Sequence, residues 1–363
     1  MKRRTQIKLK QLLTIAGVWL IIGFLISIYD YLLLTSQYSL GPSADYSYGL
    51  SLAMNLGSAL IGALIGGSFM VFFINVRYQD KPYGYTVLAV SISFFLIIAL
   101  IIFLLAWITV PLKTGKPLFD PGSKAVLYRF LFDTSRIKNT LIWSGVVALT
   151  QLSLQINNKF GQGVFWNIIR GKYHTPKEED RIFMSVDLNS STTIAEKLGD
   201  EKYHELLKDL YSDITNPILD NNAEIYQYVG DEVIIAWKRE DGLANNRCIR
   251  CFFDIKLELT KKREKYLNRY GLVPSFKAGI HWGKVVVGEI GIIKRDITYS
   301  GNVMNTISRI QTMCREYNAE VIASADLLEM LNLPHNYVSR SLGSFKLRGK
   351  EKEVLLSSLV LVV

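Results

Sequence analysis

Cysteine and histidine are scarce in this 363-residue chain: it has three of the first and four of the second. Cys248 and Cys251 form a C-x-x-C pair, yet they fall inside a helical pattern, and no second Cys or His pair stands at zinc spacing. A zinc module and a disulfide scaffold are therefore excluded, and the thiols, Cys314 included, read as buried residues of a reducing compartment. Acid is missing from the first ten residues, which hold five bases (Lys2, Arg3, Arg4, Lys8 and Lys10). Base is missing from residues 35–49. The net charge of +10 raises the question of a nucleic-acid partner. No basic segment interleaved with aromatics occurs, so no nucleic acid is expected.

What is present in excess is apolar length, and it is unevenly spread. Four stretches read as membrane spans: residues 12–34, 50–74, 86–110 and about 140–156. The first three can each cross a hydrocarbon core of about 30 Å at a rise of about 1.5 Å per residue. The fourth ends in Gln151, Ser153 and Gln155. The first run is too long for a secretory signal peptide, and further spans follow it. The basic N-terminus belongs in the cytoplasm, the base-free 35–49 loop outside, and the 75–85 turn, with Arg77 and Lys81, inside. The 111–139 loop is then external, although it carries six bases, against the rule. Its 124–135 section has the pattern of an amphipathic surface helix. Later loops weigh less than the first, so the expectation is four spans and a multi-pass protein of the inner or plasma membrane. Both its N-terminus and its C-terminal domain are expected in the cytoplasm. Ser58, Gly62 and Gly66 recur every four residues. That stripe serves either packing within one bundle or a contact between two.

Residues 1–156 are thus read as the transmembrane domain, 157–180 as a linker, and 181–363 as the cytoplasmic domain. The linker closes on a charged stretch, HTPKEED. Beyond it the pattern predicts a strand at 181–187, one or two helices over 191–217, and a hairpin of 223–229 with 232–238 around Gly230-Asp231. A long helix at 242–270, strands at 275–282 and 284–291 around Gly283, a helix at 301–317 and closing strands follow. The fold class is α+β: a ferredoxin-like βαββαβ core preceded by an all-α transmembrane bundle.

Asp187 ends the first strand in FMSVDLNSST, and Asp231 sits at the hairpin tip in YVGDEV. In the βαββαβ order their strands lie side by side, so both carboxylates reach one point. Such a pair suits divalent cations on a nucleoside triphosphate, where two ions about 3.5–4 Å apart activate a hydroxyl and neutralise phosphate. In YSGNVMNTISRIQ, Asn305 and Arg309 are four apart and share one helix face. An Arg there can stabilise a phosphoryl transition state.

Together with FKAGIHWGKVVVGEIG, these segments resemble the class III nucleotidyl cyclases, the adenylyl and guanylyl cyclases, over about residues 181–361. The resemblance implies that Asp187 and Asp231 bind two Mg²⁺ or Mn²⁺ ions per site, that Asn305 orients the ribose and that Arg309 stabilises the transition state. Lys277 matches a position that holds the triphosphate. KLRGKEKEV matches a Lys-Gly loop that reaches phosphates: Arg348 falls on the basic residue before the Gly, and Lys350 is close enough to substitute. Gln227 and Thr298 stand at the purine-selecting positions, where many adenylyl cyclases carry Lys and Asp. Thr there resembles the subclass that includes bicarbonate-responsive adenylyl cyclases. Thr298 can accept from the adenine amino group and Gln227 can donate to a ring nitrogen, although the same amide can turn to meet guanine. Many family members carry Gly-Phe after the metal strand, and Ser190-Ser191 stands there instead. The implied activity is adenylate cyclase, ATP to 3′,5′-cyclic AMP and pyrophosphate, at a homodimer interface. The alternatives are a guanylate cyclase using GTP and a catalytically silent receptor module. A diguanylate cyclase shares the VGDEV hairpin but has no place for the Asn305/Arg309 helix. The sequence names no activating signal.

Overall fold

The computed structural model describes residues 3–35, 47–78, 81–117, 120–160, 170–293, 295–346 and 353–362. The chain divides into two compact units, Thr5–Phe165 and, with the first four residues, Trp166–Val363.

The N-terminal unit is helical: α1 (Arg3–Leu34), α2 (Tyr48–Ile74), α3 (Tyr83–Thr114), α4 (Lys124–Leu131) and α5 (Thr134–Phe160). Its exterior is the apolar part. Ile21, Leu25, Ile65, Leu96 and Leu100 are exposed, whereas Ser27 and Gln151 are fully buried. Inside, Asn55 Nδ2 donates to Ser27 Oγ at 2.9 Å and Trp19 Nε1 to Thr150 Oγ1 at 3.0 Å. Apolar surface outward and polar groups inward is the arrangement a lipid solvent selects. Trp19 anchors a core with Ala63, Met70, Val90 and Val147, drawn from α1, α2, α3 and α5. A Cβ at Gly66 would lie 2.6 Å from the Phe94 ring, and one at Gly62 3.3 Å from Trp19. Those glycines serve packing within the bundle, while Ser58 faces outward. Among the described residues, three helices are long and apolar enough to cross a membrane: Arg3–Leu34, Tyr48–Ile74 and Tyr83–Leu112. The stretch expected as a fourth span lies within the helix α5, 27 residues long, whose polar residues leave it outside those three.

The C-terminal unit carries an eight-stranded sheet in the order β2-β3-β1-β4-β6-β8-β7, with β5 paired to β4. The strands are β1 (Lys177–Leu188), β2 (Glu224–Val229), β3 (Glu232–Lys238), β4 (Phe276–Ile290), β5 (Asp296–Ser300), β6 (Val321–Ser324), β7 (Tyr337–Phe345) and β8 (Val354–Leu361). With α6 (Ser191–Leu198) and α7 (Asp200–Asp220) after β1, and α8 (Arg247–Lys261) and α9 (Arg263–Tyr270) before β4, this is the expected βαββαβ core. The helix α10 (Asn302–Glu316) follows β5.

Alternation along β1 sends its residues to two cores. Ile182, Met184, Val186 and Leu188 join Leu206, Leu210 and Ile214 of α7 and Phe252, Ile255 and Leu259 of α8. Each such side chain contributes about 1.5–3 kcal/mol on burial. Cys248 and Cys251 point into this core, and burial pushes the Cys248 thiol up to about 12, so neither is a reactive thiolate at neutral pH. The other face of β1 meets α10, where Phe183 packs with Val303 and Ile307. Asp213 of α7 is clamped by Lys262 Nζ (2.7 Å), Lys265 Nζ (3.0 Å) and Tyr266 Oη (2.8 Å), which ties α7 to α9 and the turn before it.

Three boundaries differ from the sequence reading. The charged residues 177–180, read as the end of the linker, are the first four of β1 and pair with residues 284–287 of β4. Their charges sit on the strand surface, where Lys284 meets Glu178 at 2.8 Å. The two strands expected around Gly283 are one strand, β4. Gly283 and Gly279 face α10: a Cβ at Gly283 would come within 2.6 Å of Val303, and one at Gly279 within 2.5 Å of the Ile307 carbonyl. The glycines mark a close helix approach, not a turn. The expected 242–270 helix breaks at residues 244–246 and again at Lys262, and its main part resolves into α8 and α9.

Candidate active site

Asp187 lies at the C-terminal end of β1, opposite Glu232 on β3 and Lys277 on β4. The β2–β3 hairpin turns at Gly230, whose φ of +63° suits glycine, and this brings Asp231 back beside Asp187. Lys277 Nζ stands 3.0 Å from Asp187 Oδ2. Gln311 Nε2, on α10, donates to the same oxygen at 2.8 Å. Burial raises the Asp187 carboxyl above its ordinary range, and the neighbouring Asp231 adds to the rise, while Lys277 offsets part of it. Asp231 stands close enough to disfavour charge on Asp187, and two carboxylates so placed could hold a shared cation.

The surroundings support that pair. Tyr211 Oη donates to the Gly230 carbonyl at 2.8 Å, which fixes the hairpin tip. Burial and then the charge of Asp231 push the Tyr203 and Tyr211 phenols up, so both stay neutral donors. The loop after β1 is held by Asn189, whose Nδ2 reaches Ser275 Oγ at 3.0 Å. Ser190 adopts the left-handed region, φ 57°, where the resemblance expects glycine. Holding a non-glycine residue there costs about 1–2 kcal/mol.

The domain around this pair matches a profile of the adenylate and guanylate cyclase catalytic domain over residues 175–357, about half of the chain. The chain belongs to this cyclase family. Adenylate cyclase 2 of Rhizobium meliloti (strain 1021) is 35% identical over 206 residues, 57% of this chain and 57% of that protein. Adenylate cyclase 1 of the same strain is 25% identical over 183 residues, 50% of this chain and 27% of that one. The chain therefore spans little more than half the length of the first of these curated relatives and about a quarter of the second. A solved bacterial light-regulated adenylyl cyclase superposes with a TM-score of 0.54 at 21% identity, covering 63% of this chain and 67% of that one. At that identity the likeness bears on the fold.

Among the described residues of the cyclase domain, no hydrogen bond or ion pair joins the other candidate residues to the carboxylates. Gln227 is exposed on β2. Thr298 lies on β5 opposite Gly288 of β4. Asn305 is exposed and Arg309 half-buried on α10, away from its inner stripe of Val303, Ile307, Ile310 and Cys314. Among the described residues no hydrogen bond or ion pair joins either to Asp187, Asp231 or Lys277. Arg348 and Lys350 lie outside the described residues. Gln311 had no role in the sequence reading, although its signal was visible: it is a polar residue four positions after Ile307, on the apolar side of α10.

Proposed function

We propose that this chain is a membrane-anchored adenylate cyclase that converts ATP to 3′,5′-cyclic AMP and pyrophosphate as a homodimer. The observation that carries the reading is the convergence of Asp187, Asp231 and Lys277 at one point of a cyclase catalytic domain. Two hard carboxylate donors suit Mg²⁺ or Mn²⁺, so Asp187 and Asp231 would hold the metal ions. When bound, the ions supply charge neutralisation at the phosphates and lower the pKa of the attacking 3′-hydroxyl.

The chain's own residues supply the rest. Lys277 offers the triphosphate an ammonium once the carboxylates are engaged elsewhere, and Gln311 keeps the Asp187 carboxylate oriented. Gln227 and Thr298 contact the purine. Asn305 positions the ribose. Arg309 stabilises negative charge that develops as pyrophosphate departs. Asn305 and Arg309 project from the outer side of α10, unlinked to the carboxylates of their own chain, and this supports a site completed by a second copy. A two-fold dimer then contains two equivalent sites.

Membrane attachment rests on the three long apolar helices, with α5 as the fourth span and the catalytic domain in the cytoplasm. The test is turnover by the full-length chain in lipid vesicles, with ATP and GTP side by side and Mg²⁺ or Mn²⁺ added or chelated. Metal-dependent cyclic AMP formation supports the reading. Preference for GTP makes the chain a guanylate cyclase, and no turnover of either nucleotide leaves it a silent receptor module.

A further inference from the structure

The side of β1 that meets α10 has two ends. Asp187 occupies one. Arg181, six residues back and therefore about 20 Å away, occupies the other. Arg181 is 1% exposed in the middle of the sheet, and a guanidinium is costly to bury without partners. Its partners are Glu179, at 2.7 Å from Nη2, and Glu224, at 3.2 Å from Nη1. Its guanidinium carbon lies 5.3 Å from the centre of the Tyr299 ring. The Tyr299 ring packs edge-on against Phe183 at 5.3 Å and against Tyr226 at 4.9 Å. The Tyr299 backbone N–H donates to Tyr226 Oη at 3.3 Å.

The last contact joins strands that the sheet keeps apart. Tyr226 is on β2, at one edge, and Tyr299 is on β5, which among the described residues pairs with β4. Strands β3, β1 and β4 lie between β2 and β5, and among the described residues no backbone ladder links β2 to β5. The residue after Tyr226 is Gln227, and the residue before Tyr299 is Thr298. The two candidate purine-selecting residues thus sit on separate strands, one position from a side-chain bridge that spans the sheet and is seated on Arg181.

We infer that Arg181, Tyr226 and Tyr299 form a positioning unit that sets the spacing of Gln227 and Thr298, and through it the choice of purine; this rests on the cyclase function proposed above. None of the three touches the nucleotide. Tyr226 holds the Tyr299 main chain through its hydroxyl. Arg181 lies over the Tyr299 ring and holds it edge-on against Phe183. If the bridge opens, the two selectors move independently, and the hydrogen-bond pattern that separates adenine from guanine is lost while the carboxylate end of β1 is unchanged.

Tyr226→Phe removes the hydroxyl acceptor and keeps the ring. Arg181→Lys keeps the charge and loses the planar contact. Both are measured as full-length chain in lipid vesicles, by kcat/KM for ATP and for GTP and by the Mn²⁺ concentration at half-maximal rate. The expected result is an ATP-to-GTP ratio shifted more than threefold toward unity in Tyr226→Phe, with the Mn²⁺ requirement within twofold of wild type. Asp213→Asn, which loosens the α7–α9 clamp instead, controls for lost stability and leaves the ratio in place. Should Arg181→Lys fail to fold, Tyr226→Phe decides alone. An active wild type with a ratio that moves less than threefold in Tyr226→Phe, or equally in Asp213→Asn, overturns the positioning unit only. A wild type that turns over neither nucleotide overturns the proposed function and the unit with it.

Discussion

Gly279→Ala tests how the site is assembled. The added methyl would lie 2.5 Å from the Ile307 carbonyl oxygen and 2.6 Å from the Gln311 nitrogen, both main-chain atoms of α10. A side chain could rotate away, but a helix backbone cannot. To restore ordinary van der Waals contact the helix must retreat by about 1 Å. Overpacking of this kind costs about 1–3 kcal/mol of stability. The larger effect falls on rate, because α10 carries Gln311 against Asp187 on one side and Asn305 and Arg309 on the other. A displacement of about 1 Å of a catalytic group can cost about 100-fold. Gly283→Ala is the companion, since its methyl meets the Cγ2 of Val303 rather than backbone and should cost less than tenfold. The assay is cyclic AMP formation at saturating ATP and Mn²⁺ by the full-length chain in vesicles, with melting followed in parallel. A Gly279→Ala chain that keeps half of wild-type activity, or one no slower than Gly283→Ala, refutes the reasoning.

Asp187→Asn and Asp231→Asn should each abolish turnover with a melting temperature close to wild type, and a chelator should do the same to the unaltered chain; activity in either variant at saturating Mn²⁺ removes the metal assignment. Co-expression of Asp187→Ala and Arg309→Ala chains, each inactive alone, should return about a quarter of wild-type activity, because half the randomly mixed dimers then contain one intact site. No recovery from chains shown to be folded and mixed rules out a shared site. Burial alone would raise the Asp213 carboxyl, but its bonds from Lys262, Lys265 and Tyr266 hold it below the ordinary range. Its folded-state pKa is thus depressed, so its stabilisation is present above about pH 4 and is lost as pH falls through the folded value. Asp213→Asn should lower the melting temperature by about 2–10 °C at pH 7, and the gap should shrink below pH 4; a gap independent of pH contradicts the assignment. Reporters fused after residues 74 and 160 should register as cytoplasmic and one near residue 43 as external. A cytoplasmic signal from the 111–139 loop would mean a different number of spans.

The carboxylate pair was legible in the sequence because strand ends and a Gly-Asp hairpin tip are local features whose placement follows from sheet order. Gln311 was less so: a lone polar residue on an apolar helix side reads as tolerated until its partner, 124 residues earlier, is known. The start of β1 was obscured for a different reason. The run Lys177 to Asp180 has the composition of a hinge, yet its strand is fixed by pairing with β4, and propensity yields to such pairing. Gly283 misled in the same way, since glycine within a β pattern marks either a turn or a close neighbour, and the neighbour here is α10. The Tyr226–Tyr299 bridge was not readable at all, because it joins strands that are adjacent neither in sequence nor in the sheet.

Gln311 and Arg309 are two residues apart, so they project about 200° from each other around α10. In the proposed dimer one serves its own chain's carboxylate and the other serves the partner's substrate. This gives the helix a genetic signature. Lesions in Asp187 or Asp231 would fall into one complementation group and lesions in Asn305 or Arg309 into a second, each group rescuing the other. A lesion that displaces α10 as a body, such as Gly279→Ala, would belong to both groups. Mixed with wild-type chains it would impair both sites of every hybrid dimer, through its own carboxylate at one and through its Arg309 at the other, and so behave as dominant.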